Sequence, residues 1–142
     1  MVTVKRYKRR YLYHGTQEDC LIGIARRGLL PSSKTQIINW PEMQYRIRDA
    51  VFFAEEEDSA WNWACGTRCD EDENPDCHPF VIRVRLDKLP PGCEIEQDII
   101  PDPVKPFVVT GSWLARCRIP PEAIEVRSTE GWIPISEAIE VR

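Results

Sequence analysis

The chain lacks any apolar run approaching the roughly 20 residues that span a bilayer. Its first residues lack the apolar core of a signal peptide. Both absences point to a cytoplasmic protein, or to one delivered by a route the sequence hides. An excess of positive charge is also missing. Lys and Arg number 19 against 23 Asp and Glu, a formal net charge of −4. Binding of polyanions by bulk charge is therefore not expected. Cys-x-x-Cys pairs are absent, as is the acidic spacing of an EF-hand loop. Helical stretches do not alternate regularly with strands, which disfavours a parallel doubly wound sheet.

What is present is 142 residues, 42% hydrophobic and 30% charged. That is the size and composition of one globular domain, residues 1–142, with a real core. The six cysteines are Cys20, Cys65, Cys69, Cys77, Cys93 and Cys117. An even count permits disulfides, but without a secretion signal free thiols are the expectation. Cys20 and Cys117 sit in apolar patterns and are expected to pack as small hydrophobes.

The most informative stretch is Arg10-Tyr11-Leu12-Tyr13-His14-Gly15-Thr16. It reads as a short strand ending on a histidine. Gln17 to Arg27 reads as a helix, with Leu21, Ile22, Ile24 and Ala25 at helical spacing. Thr16 with Asp19 resembles a capping box. Gly28 stops the helix and Pro31 prevents its return. A strand end beside a helix start suits chemistry: Gly15 lets a ligand approach the backbone, and free N–H groups can face polar atoms. The blander alternative is that His14 is only a hydrogen-bonded strand-end residue.

Residues 1–10 hold Lys5, Arg6, Lys8, Arg9 and Arg10 without an acid, as a solvated first strand or a nucleic-acid contact. Residues 35–48 keep no single period. Trp40 or Tyr45 there could cover a ligand or simply pack. Ala50 to Ala54 reads as a buried strand. Acidic residues 55–58 then suit the start of a helix over 59–65, with Trp61, Ala64 and Cys65 on one face and Trp63 on another. Residues 69–78 form an acidic loop. Phe80 to Leu86 alternates apolar and basic residues as a strand with one wet face. Residues 93–106 are mostly extended or loop. Phe107–Thr110, Trp113–Arg118 and Ala123–Arg127 are strand candidates. Glu-Ala-Ile-Glu-Val-Arg occurs at 122–127 and again at 137–142, too short an echo for a repeat architecture. The expected class is α+β, with a mostly antiparallel, split sheet.

Taken together, Tyr13-His14-Gly15-Thr16, the helix ending Arg27-Gly28-Leu29, and Val51-Phe52-Phe53-Ala54 followed by Ser59-Ala60 and Trp63 resemble ADP-ribosyltransferases. The likeness is to the diphtheria-toxin and poly-ADP-ribose-polymerase branch. It covers residues 11–65 well and the rest loosely. The segment Ile119-Pro120-Pro121-Glu122-Ala123-Ile124 is similar to the end of small bacterial and phage members.

The resemblance implies an ADP-ribosyltransferase-like fold of split, mostly antiparallel sheets with two short helices. It also implies a toxin-like transferase that consumes NAD as a substrate. By the same resemblance, His14 bonds a ribose hydroxyl and the Gly15 backbone pairs with the nicotinamide carboxamide. Thr16 shapes the adenosine side, Phe52 and Trp63 frame the nicotinamide ring, and Ser59 lies near the carboxamide. His14, Phe52 and Trp63 are thus the expected catalytic set, and all six residues the expected NAD-binding set. The reaction implied is displacement at the nicotinamide ribose through an oxocarbenium-like state, with one ADP-ribosyl unit passed to a protein or nucleic-acid acceptor. One departure stands out. The late-strand glutamate of the family is absent from Thr110-Gly111-Ser112-Trp113-Leu114-Ala115, where Ser112 or Trp113 takes its place. Glu94, Glu96 and Asp98 are nearby acids that could substitute.

Three rival readings remain. An RNA 2′-phosphotransferase of the same fold would use Arg26, Arg27, Arg83 and Arg85 on a phosphate. A non-catalytic module would bind a nucleotide or a protein. A metal-stapled interaction domain would hold zinc through Cys65, Cys69, Cys77 and His78, although adjacent Cys77 and His78 are awkward as joint ligands. No metal is expected in the preferred reading.

Overall fold

A computed structural model of the chain describes residues 7–31, 50–67, 78–100 and 107–139. The architecture is α+β. Seven strands form an antiparallel sheet in the order β4-β5-β2-β1-β3-β6-β7. They are β1 Tyr11–Gln17, β2 Val51–Ala54, β3 Pro79–Arg85, β4 Glu96–Ile100, β5 Phe107–Ala115, β6 Ile124–Ser128 and β7 Gly131–Pro134. Among the described residues three short α-helices accompany them: α1 Leu21–Arg27, α2 Glu57–Thr67 and α3 Ile135–Ala138.

The strands form one continuous sheet rather than the expected split one, though its pairing is uneven. β1 pairs with β3 along all seven residues, and β2 pairs with β5 along all four. Between β1 and β2 only Tyr13 and Ala54 are in register. Two antiparallel blocks therefore meet at a single rung. Pro79 opens β3 opposite Gln17, at the first position of a strand where a missing N–H is tolerated.

One face of the sheet carries the main core. Leu12 of β1, Ile82 and Val84 of β3, and Ile124 of β6 have no exposed surface. Leu21, Ile24 and Ala25 of α1 and Ile135 of α3 close over them. Removing each such aliphatic side chain from water contributes about 1.5–3 kcal/mol. α1 ends at Gly28, whose φ of 78° is left-handed and whose N–H bonds the Ile24 carbonyl at 2.8 Å. A Cβ there would lie 2.0 Å from the carbonyl oxygen of Ile119. The stop is thus fixed by backbone geometry and by the Leu29–Ile119 bridge packed against it.

On the other face α2 lies against β1. Its buried side chains are Ala60 and Ala64, 1% and 0% exposed, whereas Trp61 stands 47% exposed. Ala64 is thus on the expected face, and Trp61 is not. Small residues are needed because the two backbones nearly touch: a Cβ on Gly15 would meet the Ala60 carbonyl oxygen at 2.3 Å and the Ala64 nitrogen at 2.9 Å. Gln17 secures the same contact, donating from Nε2 to the Ala64 carbonyl at 2.9 Å.

Several sequence expectations change. Thr16 does not cap a helix; it pairs with Phe80 inside β1, and a 3-10 turn at Glu18–Cys20 precedes α1. Cys20 is exposed rather than packed. Cys117 is joined to Cys93 by a disulfide, with Cα atoms 5.6 Å apart, instead of being a free thiol. The stretch after Cys93 contains β4, and the two late strand candidates merge into β5. The echoed hexapeptide, by contrast, is as expected no structural repeat: 124–127 is strand, whereas 137–138 is helix. Residues 1–6, Trp40, Tyr45, the acidic loop with Cys69 and Cys77, and residues 101–106 lie outside the described residues.

Candidate functional site

The site lies where β1 and β2 part. Past the Tyr13–Ala54 rung, β1 no longer offers ladder partners to β2. The imidazole of His14 fills part of that deficit. Its Nδ1 lies 2.7 Å from the Phe52 carbonyl oxygen. A carbonyl can only accept, so Nδ1 carries the hydrogen. In the neutral ring Nε2 then holds a lone pair and can accept from a hydroxyl. His14 is half-buried as a residue. Burial of the ring lowers its pKa below the ordinary histidine value, and the bond to Phe52 opposes that only in part. The ring is neutral at physiological pH. The Phe53 ring stands edge-on to it, centroids 6.1 Å apart.

Beside this contact lies a cleft of about 190 Å³ between β1, β2, the middle of β5 and α2. Gly15, Phe52, Ser59, Trp63 and Ser112 are on its wall, with Tyr13 at β1. That volume is below the roughly 300–1,000 Å³ of pockets that enclose a drug-sized ligand. It suits one ring-sized portion of a larger molecule. Phe52 is held by Ala50 and Leu114 in a small second core. Trp63 is half-buried and Ser59 exposed. Among the described residues no Lys, Arg, Asp or Glu is part of the wall.

The sequence-derived residues thus fall into two groups. Gly15, Phe52, Ser59 and Trp63 share the cleft. His14 and Thr16 are not part of its wall, because successive residues of β1 point to opposite faces. His14 is tied to the cleft only indirectly, by its bond to the carbonyl of Phe52, a wall residue. Gly15 also differs from expectation. Its missing side chain makes room for the backbone of α2, so the close approach there is by a helix.

Of the three candidate acids, Glu94 is exposed, and Glu96 is exposed and paired with Arg116 at 3.2 Å. Asp98 differs, being 1% exposed. It sits where the β4–β5 register shifts between Gln97 and Ile99. Its Oδ2 accepts from the Ser112 hydroxyl at 2.7 Å. Ser112 lines the cleft. Trp113 instead turns into the main core, donating from Nε1 to Glu55 at 2.6 Å.

The basic residues lie elsewhere. Arg83 is bound to Glu125 through both Nε and Nη2, at 2.9 and 2.8 Å, with its guanidinium 3.9 Å from the Tyr11 ring centroid. It is therefore no plain solvated strand residue. Arg85 pairs with Asp87 at 2.8 Å, and Arg26 and Arg27 lie exposed on α1. Among the described residues no His, Cys, Asp and Glu group has the makings of a metal site. The proposed zinc set cannot be assembled there, since Cys69 and Cys77 lie outside them. Among the same residues no helix is long and apolar enough to cross a membrane.

Sequence reasoning missed Thr110 and Gly111 as part of the wall. The available signal was a glycine within a strand pattern, which often marks a bulge or bend; Gly111 has a φ of 78° and open space where a Cβ would stand. Compared with known proteins, the chain matches no family model and no curated sequence.

Proposed function

We propose that the chain is a NAD-dependent mono-ADP-ribosyltransferase with an ADP-ribosyltransferase-like fold. The cleft takes the nicotinamide end of NAD, and a macromolecule receives the ADP-ribosyl group. One observation carries this reading. Gly15, Phe52, Ser59 and Trp63, from two segments far apart in the chain, line one small apolar cleft, and the His14 imidazole is anchored to the Phe52 backbone beside it. A flat heteroaromatic ring suits a wall with Phe52 and Trp63. His14 acts from outside the wall, its bond to the Phe52 carbonyl fixing the strand that carries that aromatic. The fit is to part of a dinucleotide, with the remainder outside the cleft. The expected cytoplasmic location and the absence of membrane association belong to the same proposal.

In this mechanism the protein orients the dinucleotide and excludes water around the scissile bond. Nicotinamide departs with the bonding electron pair, and the acceptor attacks the ribose carbon. The phosphotransferase alternative is not carried forward. Arg83 and Arg85 are engaged by carboxylates, and none of the four arginines lines the cleft.

The test is incubation of the protein with NAD labelled in the adenylate part and a cell lysate. The expected result is release of nicotinamide and one labelled unit per modified site in a protein or nucleic-acid fraction. A pure protein that neither binds NAD nor releases nicotinamide sinks the reading.

A further inference from the structure

We propose that Ser112 and Asp98 act as one unit in place of the missing glutamate, Ser112 touching the reacting centre and Asp98 working through it. The inference rests on the ADP-ribosyl transfer proposed above. Ser112 lies on the cleft wall together with Ser59 and Trp63 of α2. Its hydroxyl proton is directed onto Asp98 Oδ2, 2.7 Å away. Asp98 is 1% exposed, a burial carboxylates seldom adopt without a compensating hydrogen bond. The register shift in β4 brings it there. Glu94 and Glu96 are solvated on the same segment, so Asp98 is the acid this strand delivers behind the cleft.

The proton has a defined route. The bond between the ribose carbon and the nicotinamide nitrogen breaks, and neutral nicotinamide leaves with the electron pair. The acceptor's lone pair forms the new bond to that carbon. The acceptor's proton passes to Ser112 Oγ as the Ser112 proton passes to Asp98, which ends as the neutral acid. The positive charge of the nicotinamide ring and the negative charge of Asp98 are both discharged. Ser112 is the catalytic residue and Asp98 the positioning residue that orients its proton and receives it.

Steady-state kinetics with NAD test this on wild type, Asp98→Asn, Ser112→Ala, Ser112→Thr and the Asp98→Asn/Ser112→Ala double variant. A general base of this kind typically contributes about 10²–10⁴-fold. Asp98→Asn and Ser112→Ala should each lower kcat by about 10²-fold, with KM for NAD changed less than about twofold. The double variant should be no slower than the worse single one, since residues acting as a unit are not additive. Ser112→Thr, which keeps the hydroxyl, should recover activity to within about tenfold of wild type. If Asp98→Asn does not fold, the Ala and Thr variants at 112 decide alone. A wild type that turns over NAD while Ser112→Ala keeps its kcat overturns this inference and leaves the transferase reading standing. Additive losses, or losses confined to KM, also overturn it. A wild type inert toward NAD overturns both.

Discussion

The His14 imidazole donates from Nδ1 to the backbone carbonyl of Phe52 across 2.7 Å, joining two strands that have already stopped pairing. That bond fixes which ring nitrogen carries the hydrogen. It also ties the orientation of the imidazole to the strand that carries an aromatic wall of the cleft.

His14→Ala should therefore abolish NAD turnover or weaken NAD binding at least about tenfold, roughly 1.4 kcal/mol, while circular dichroism stays native. Calorimetric titration of NAD into both proteins checks this. Unchanged affinity and turnover in the variant would remove His14 from the site.

The same residue has a pH signature. Its folded pKa lies below the unfolded value of 6.5, chiefly because the ring is buried. Above that value the ring is neutral in both states and the stability is unaffected. As pH falls below it, the unfolded chain takes up the proton first, so His14 contributes a loss of stability on acidification. Urea melts at pH 7.5 and 5.5 should show a smaller drop for His14→Gln than for wild type. An equal drop would mean that the ring titrates normally.

Gly15→Ala should destabilise the fold by about 1–3 kcal/mol, the usual cost of overpacking. The added methyl meets backbone atoms of α2, which cannot rotate aside. Chemical denaturation measures the effect. A neutral substitution would show that α2 can retreat from β1 freely.

Glu125→Ala should cost about 3 kcal/mol, because it leaves a largely buried guanidinium without its carboxylate. Arg83→Lys should cost about 1 kcal/mol, since lysine offers neither the planar fork nor the same stacking on Tyr11. Equal stability of wild type and Glu125→Ala in denaturant would show the pair to be dispensable.

Reduction of Cys93–Cys117 should lower stability by about 3 kcal/mol, for a bond linking residues separated by 24 in sequence. Cys117→Ser should melt at the temperature of the reduced wild type. A melting point indifferent to reductant would argue against the bond in solution.

Much of the fold was legible where local pattern and burial agree. The apolar Ala50–Ala54 run and the alternation of Phe80–Leu86 became β2 and β3, within one residue at each end. Other elements were set by partners distant in sequence. β4 lies between proline-rich stretches, and its pairing with β5 outweighs that local signal. β7 is four residues ending in proline and draws its order from β6. α2 was read from its tryptophans, whereas its buried face is two alanines, chosen by the need to approach Gly15. In the site, Phe52, Ser59 and Trp63 could be read from a motif. The burial of Asp98 against Ser112 could not, since an acid in a proline-rich segment looks solvated until its strand partner is known.

The Tyr13–Ala54 rung has a mechanical consequence. A sheet usually resists splaying because many ladder bonds share the load. Here the pairing of β1 with β2 is a single backbone rung and one imidazole, and the rest of the joint is side-chain packing shared by Leu12, Val51 and Phe53. A ligand wedged beside that joint would brace it, and occupancy should register first as slower amide exchange at Tyr13 and Ala54.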